Sequence, residues 1–84
     1  MANIIIYSTA HCPYCAWAKQ LLDKKKVSYQ EFLIDSDPDK KIEMERLSGR
    51  RSVPQIFINN QPIGGFDNLS ALDKSGQLDK LLTK

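Results

Sequence analysis

Apolar residues recur along this chain in two rhythms. Ile4 to Tyr7 is a continuous apolar, β-prone run, suited to a strand buried on both faces. Cys12-Pro13 then offers a helix start, because proline fits the first helical position. Tyr14 to Lys25 carries Cys15, Ala18, Leu21 and Leu22 at helical spacing. Val27 to Ile34 reads as a second strand, ending in Phe32-Leu33-Ile34. Strand, helix and strand within about 30 residues make a βαβ unit, so these two strands are expected to run parallel.

Asp37-Pro38 is a second helix start, with Asp37 as N-cap and Pro38 in the first turn. Ile42, Met44 and Leu47 supply its apolar face, and Gly49 fits its end. Gln55 to Ile58 and Gln61 to Gly64 are short β runs joined through Asn59-Asn60, a hairpin signal. Pro62 cannot donate a ladder hydrogen bond, so the last strand is expected at an edge. Gly64-Gly65 breaks that strand. Asp67 is suited to cap a third helix running through Leu72, and Leu78, Leu81 and Leu82 suggest a short closing turn of helix. No repeat, linker or low-complexity segment interrupts the pattern. The order βαβαββα predicts an α/β three-layer sandwich in which helices cover a four-stranded mixed sheet, forming a single domain over residues 1–84.

Composition changes this picture little. The hydrophobic fraction of 42% and charged fraction of 26% are ordinary for a globular chain. A net charge of +2 is too weak to argue for nucleic-acid or membrane binding. Lys24-Lys25-Lys26 fits a solvated helix C-terminus, where cations complement the dipole. No apolar run approaches the roughly 20 residues needed to span a bilayer. The first residues lack the basic start of a leader and run straight into Tyr7-Ser8, so a cytoplasmic location is expected.

The chemistry gathers at the only two cysteines, Cys12 and Cys15. A disulfide between them closes so small a loop that it restrains the unfolded chain by only about 2 kcal/mol. The pair is a poor staple and a better reversible redox couple. Cys12 stands where the first helix begins, and the unpaired N–H groups and dipole there favour negative sulfur, the attacking form of a thiol. Cys15 lies one turn on and deeper, so it is expected to act second. With His11 the pair still falls one ligand short of a zinc site, and no metal is expected.

Cys12-Pro13-Tyr14-Cys15 resembles the active site of dithiol glutaredoxins, which have the thioredoxin fold; thioredoxins themselves usually carry Gly-Pro between the cysteines. Ser52-Val53-Pro54 is similar to the Thr-Val-Pro of glutaredoxins. Gly64-Gly65-Phe66-Asp67-Asn68 is similar to their Gly-Gly-x-Asp-Asp or Gly-Gly-x-Ser-Asp. The likeness covers essentially all 84 residues and is nearest to small bacterial members.

The resemblance implies a glutathione-dependent thiol–disulfide oxidoreductase that reduces protein disulfides and glutathione mixed disulfides. Cys12 would be the nucleophile, Cys15 the resolving thiol and glutathione the co-substrate, at a potential of about −200 to −230 mV. It implies a cis peptide at Pro54, with the Val53 backbone pairing with glutathione beside Ser52, and Tyr14 along the groove. Gly65, Phe66, Asp67 and Asn68 would receive the γ-glutamyl end at a helix start. Lys41 would meet the glycyl carboxylate, with Arg50 or Arg51 as helpers. The chain departs from the family at Thr9, where a basic residue is frequent, and at Asn68, where an acid is common. Phe66 stands where some relatives carry a third cysteine, Ser52 replaces threonine, and His11 before Cys12 is unusual and reads as a solvated loop residue.

The implied partners are glutathione and disulfide-containing or glutathionylated proteins, acting on a monomer, with no nucleic acid and no membrane. Ribonucleotide reductase is a usual partner of the family, but nothing in this chain selects it. Two alternatives stay open. A thioredoxin reductase would be a different electron donor. A binding module would share an iron–sulfur cluster between two chains through Cys12 and two glutathiones, and the stiff, two-thiol CPYC loop argues against it.

Overall fold

The computed structural model describes residues 2–83. The elements are β1 (Ile4–Ser8), α1 (Pro13–Lys24), β2 (Gln30–Leu33), α2 (Pro38–Ser48), β3 (Gln55–Ile58), β4 (Gln61–Gly64), α3 (Phe66–Ser75) and α4 (Gln77–Leu82). The sheet order is β2-β1-β3-β4. β1 runs parallel to β2 and antiparallel to β3, and β3 pairs antiparallel with β4. The mixed four-stranded sheet, the parallel βαβ unit and the edge position of β4 all match the sequence pattern.

The two apolar runs, β1 and β3, are the central strands, and their side chains alternate between two cores. Ile4, Ile6, Ile56 and Ile58 point to one side and pack with Ala18, Leu22, Leu69 and Leu78 of α1, α3 and α4. Tyr7 and Phe57 point to the other side and pack with Ile34 and with Met44 of α2. The Tyr7 ring meets Phe57 edge-on at 5.6 Å, and its hydroxyl donates to Glu43 of α2 at 3.0 Å. Burial and that bond push the Tyr7 hydroxyl up to about 12.

The boundaries of β2 and α3 differ from the sequence pattern. The second strand begins at Gln30 rather than Val27 and ends at Leu33. Lys26 takes a left-handed φ of 59°, and the Val27 N–H turns back to donate to the Leu22 carbonyl at 3.4 Å. Val27 therefore closes off α1, and both Val27 and Tyr29 pack on the core instead of joining the ladder. Ile34 leaves the strand to fill the second core, although its N–H still donates to the Ser8 carbonyl at 2.9 Å. The third helix is capped by Gly65, not by Asp67, which lies inside the first turn, and it runs on to Ser75. Asn68 explains the shift: its Oδ1 accepts from the Gly65 N–H at 3.2 Å, closing the helix start two residues earlier.

Candidate active site

Helix α1 begins where β1 stops pairing. Cys12 is its N-cap, in extended conformation, with Pro13 at the first helical position. The Cys12 sulfur accepts from the Cys15 N–H at 3.1 Å, and the Cys12 carbonyl accepts from Ala16 N–H at 3.1 Å. Sulfur here does the work of a capping oxygen. Both thiols are free, with Cys12 half-buried and Cys15 buried. Only 1% of Cys15 is exposed. Burial above all, and then the hydrogen bond with Cys12, pushes the Cys15 thiol up to about 12, against a lowering by the Thr9 N–H. One sulfur faces outward, and the other sits protonated behind it.

The facing wall is the loop before β3. The Val53–Pro54 peptide bond is cis, and the Val53 carbonyl lies 3.9 Å from the Cys12 sulfur. Gln55 holds this loop. It is buried at the head of an apolar strand, and its side-chain amide donates to the Ser52 carbonyl at 2.9 Å and to the Ser52 hydroxyl at 3.3 Å. The only mark of Gln55 in the sequence is a polar residue directly after Val-Pro at the start of an otherwise apolar run.

Tyr14, Arg50, Ser52, Val53, Pro54, Gly65, Phe66, Asp67 and Asn68 line one open pocket of about 220 Å³. Every residue expected along the groove except Lys41 thus meets there, together with Arg50. Gly64, the residue before this pocket's Gly65, has φ +113°, and a Cβ at that position would fall 2.5 Å from Asn68 Oδ1. Arg50 Nη1 donates to the same Oδ1 at 3.5 Å. With two donors on its oxygen, the Asn68 side chain has its amide hydrogens left to offer. Lys41 is exposed and lines a separate depression with Thr9, Ile34, Asp35 and Pro38. Arg51 lies outside the pocket, with its Nε 3.6 Å from Glu45 Oε1. Among the described residues no group of three or more His, Cys, Asp or Glu side chains is placed to hold a metal ion, and no helix is long and apolar enough to cross a membrane.

Behind α1, Lys19 Nζ meets Glu31 Oε2 of β2 at 2.8 Å. The buried Ser8 hydroxyl donates to the same oxygen at 2.6 Å. The lysine and this hydroxyl hold the Glu31 carboxyl below its ordinary range. The ion pair links the middle of α1 to the sheet edge.

The glutaredoxin family model matches residues 4–63. Glutaredoxin 3 of Escherichia coli is 56% identical over 82 residues, covering 98% of this chain and 99% of the relative. A glutaredoxin of Pseudomonas aeruginosa is 47% identical over 83 residues, with 99% of each chain covered. The solution structure of glutaredoxin from Brucella melitensis superposes with a TM-score of 0.85 at 45% identity, covering 98% of this chain and 89% of that one. A buckwheat glutaredoxin–glutathione complex superposes with a TM-score of 0.89 at 29% identity, covering 98% and 77%. The thioredoxin-like architecture is therefore shared with glutaredoxins that align along nearly the whole sequence, and this chain belongs to the glutaredoxin family.

Proposed function

We propose that this chain is a glutathione-dependent thiol–disulfide oxidoreductase of the cytoplasm, acting on glutathionylated proteins and protein disulfides. One observation carries the reading: an outward sulfur at the α1 tip, with a buried thiol behind it, faces a carbonyl of the wall that lines the pocket. The Cys12 thiolate attacks the glutathione sulfur of a mixed disulfide. The bond to the protein sulfur breaks, a bond to Cys12 forms, and the protein leaves as a thiol after taking up a proton. A second glutathione thiolate then attacks the bound glutathione sulfur, which releases glutathione disulfide and frees Cys12. With a protein disulfide, Cys12 attacks one sulfur and expels the other as a thiolate that takes up a proton, and Cys15 then attacks the Cys12 sulfur and expels the remaining protein thiolate. The proton that Cys15 gives up balances the one the departing protein thiolate takes, and two glutathiones later reduce the Cys12–Cys15 bond.

Glutathione is placed with its γ-glutamyl end at the start of α3. Its carboxylate meets the Phe66 and Asp67 N–H groups and the Asn68 amide, and the Asp67 carboxylate accepts from its ammonium. Its backbone pairs with Val53 beside Ser52, Pro54 and Tyr14. Its glycyl carboxylate reaches toward Lys41. The buckwheat complex supports this choice of ligand.

The test is a coupled assay with glutathione, glutathione reductase and a small glutathione mixed disulfide, run beside thioredoxin reductase as the rival donor. Turnover should require glutathione. Cys12→Ser should abolish it, and Cys15→Ser should keep deglutathionylation while losing dithiol reduction of protein disulfides. Lys41→Ala should raise KM with little change in kcat. Appreciable turnover by Cys12→Ser, or turnover driven only by thioredoxin reductase, refutes the reading.

A further inference from the structure

Three aromatic rings stand together at the outer side of the α1 tip. Tyr14 and Trp17 meet edge-on with centroids 5.1 Å apart. Phe66, from the start of α3, lies 5.9 Å from Trp17 and 6.5 Å from Tyr14. This is contact geometry for aromatic pairs. Phe66 packs on the edge of the core, but Tyr14 is 53% and Trp17 47% exposed. Tyr14 and Phe66 belong to the pocket, whereas Trp17 lies beyond it and carries the apolar surface outward. Contiguous apolar patches on a folded chain mark contact sites more often than chance, and Trp and Tyr dominate the energetics of such contacts.

We infer that Trp17, backed by Tyr14 and Phe66, selects protein substrates carrying a large apolar side chain close to the reacting cysteine. The inference rests on the oxidoreductase reading and deepens it. The occupant follows from continuity with the reacting sulfur. A substrate whose sulfur is in line with Cys12 must lay its neighbouring residues on the surface around the α1 tip. Trp17 is five residues along the helix from Cys12, about 7–8 Å on its axis. An extended peptide advances roughly 3.3 Å per residue, so a side chain two or three positions from the substrate cysteine arrives over the indole. A small disulfide has nothing to place there, so Trp17 acts on protein and peptide substrates alone.

The test uses the full chain, two glutathionylated peptides and the glutathione mixed disulfide of 2-mercaptoethanol. One peptide carries leucine or tryptophan two and three positions from its cysteine, and the other serine and glycine there. The wild type should prefer the apolar peptide by about tenfold in kcat/KM, the scale of one interface anchor. Trp17→Ala should erase that preference and leave turnover of the small disulfide within about twofold, while Trp17→Phe should keep most of the preference. Far-UV circular dichroism of both variants should match the wild type, since the ring is half exposed. An apolar preference that survives in Trp17→Ala, or a wild type active on the small disulfide but indifferent to flanks, overturns this inference and leaves the oxidoreductase reading intact. A wild type inert toward the small disulfide sinks both. Concentration-dependent self-association that Trp17→Ala abolishes assigns the patch to a second copy of the chain and also overturns it.

Discussion

On one face of the sheet, four isoleucines of β1 and β3 meet side chains from three helices, α1, α3 and α4. On the other face, Tyr7, Phe57 and Ile34 meet α2, whose single buried residue is Met44. Ile42 of α2 is 64% exposed and Leu47 46%. Both helices begin with a cap followed by proline, yet only α1 is sunk into a continuous core. The difference follows the chemistry. α1 aims the sulfur and α3 builds the pocket, so both need fixed positions, whereas α2 covers a small second core through Met44 and adds the Tyr7–Glu43 bond.

This contrast is open to measurement. Leu22→Ala should cost about 3–5 kcal/mol in urea unfolding, the upper range for a core truncation, because its neighbours come from several elements. Met44→Ala should cost less, about 2–3 kcal/mol, since α2 can settle into the space. A Met44 loss equal to or above that of Leu22 breaks the asymmetry. Gly64→Ala should cost about 1–3 kcal/mol and raise KM for glutathionylated substrates, because the new Cβ meets strained backbone and displaces the Asn68 side chain. Unchanged stability and KM would mean that Asn68 can move without loss of the pocket. Lys26→Gly should raise stability by about 0.5–1 kcal/mol by relieving the left-handed turn that ends α1. A shift of that size is visible as a few degrees in Tm.

Acid sharpens the comparison at smaller amplitude. Lys19 and Ser8 hold Glu31 low, and Lys40 and Tyr7 hold Glu43 low. A carboxylate held low in the folded state stabilises it fully above the ordinary carboxylate range. That contribution fades as the pH falls through the depressed value. Glu31→Gln and Glu43→Gln should each flatten the loss of stability below about pH 4.5. Acid titrations followed by circular dichroism, with slopes matching the wild type, would remove these bonds from the stability of the fold.

The readable parts of the sequence were those in which local signals and burial agree. Ile4–Tyr7 and Gln55–Ile58 are apolar on both faces because both faces are covered. Cys12-Pro13 and Asp37-Pro38 start helices by their own chemistry. Legibility failed where one residue had two duties. Val27 and Tyr29 look like strand, yet Val27 ends α1 and both cover the core. Asp67 looks like a cap, but Asn68 reaches back to Gly65 first. The approach of Phe66 to Trp17 was beyond reach in principle, since the residues are far apart in sequence and only the packing of α3 on α1 joins them. Lys41, placed by resemblance, stands at a different depression from the other groove residues.

The depth of Cys15 has a consequence for how the chain meets hostile chemistry. To an electrophile arriving from solvent this is a protein with one thiol, because the other is screened and keeps its proton. A stoichiometric alkylating agent should mark it once and stop. The hidden thiol can be reached only through a bond already made at the surface, so damage and duty enter by the same door.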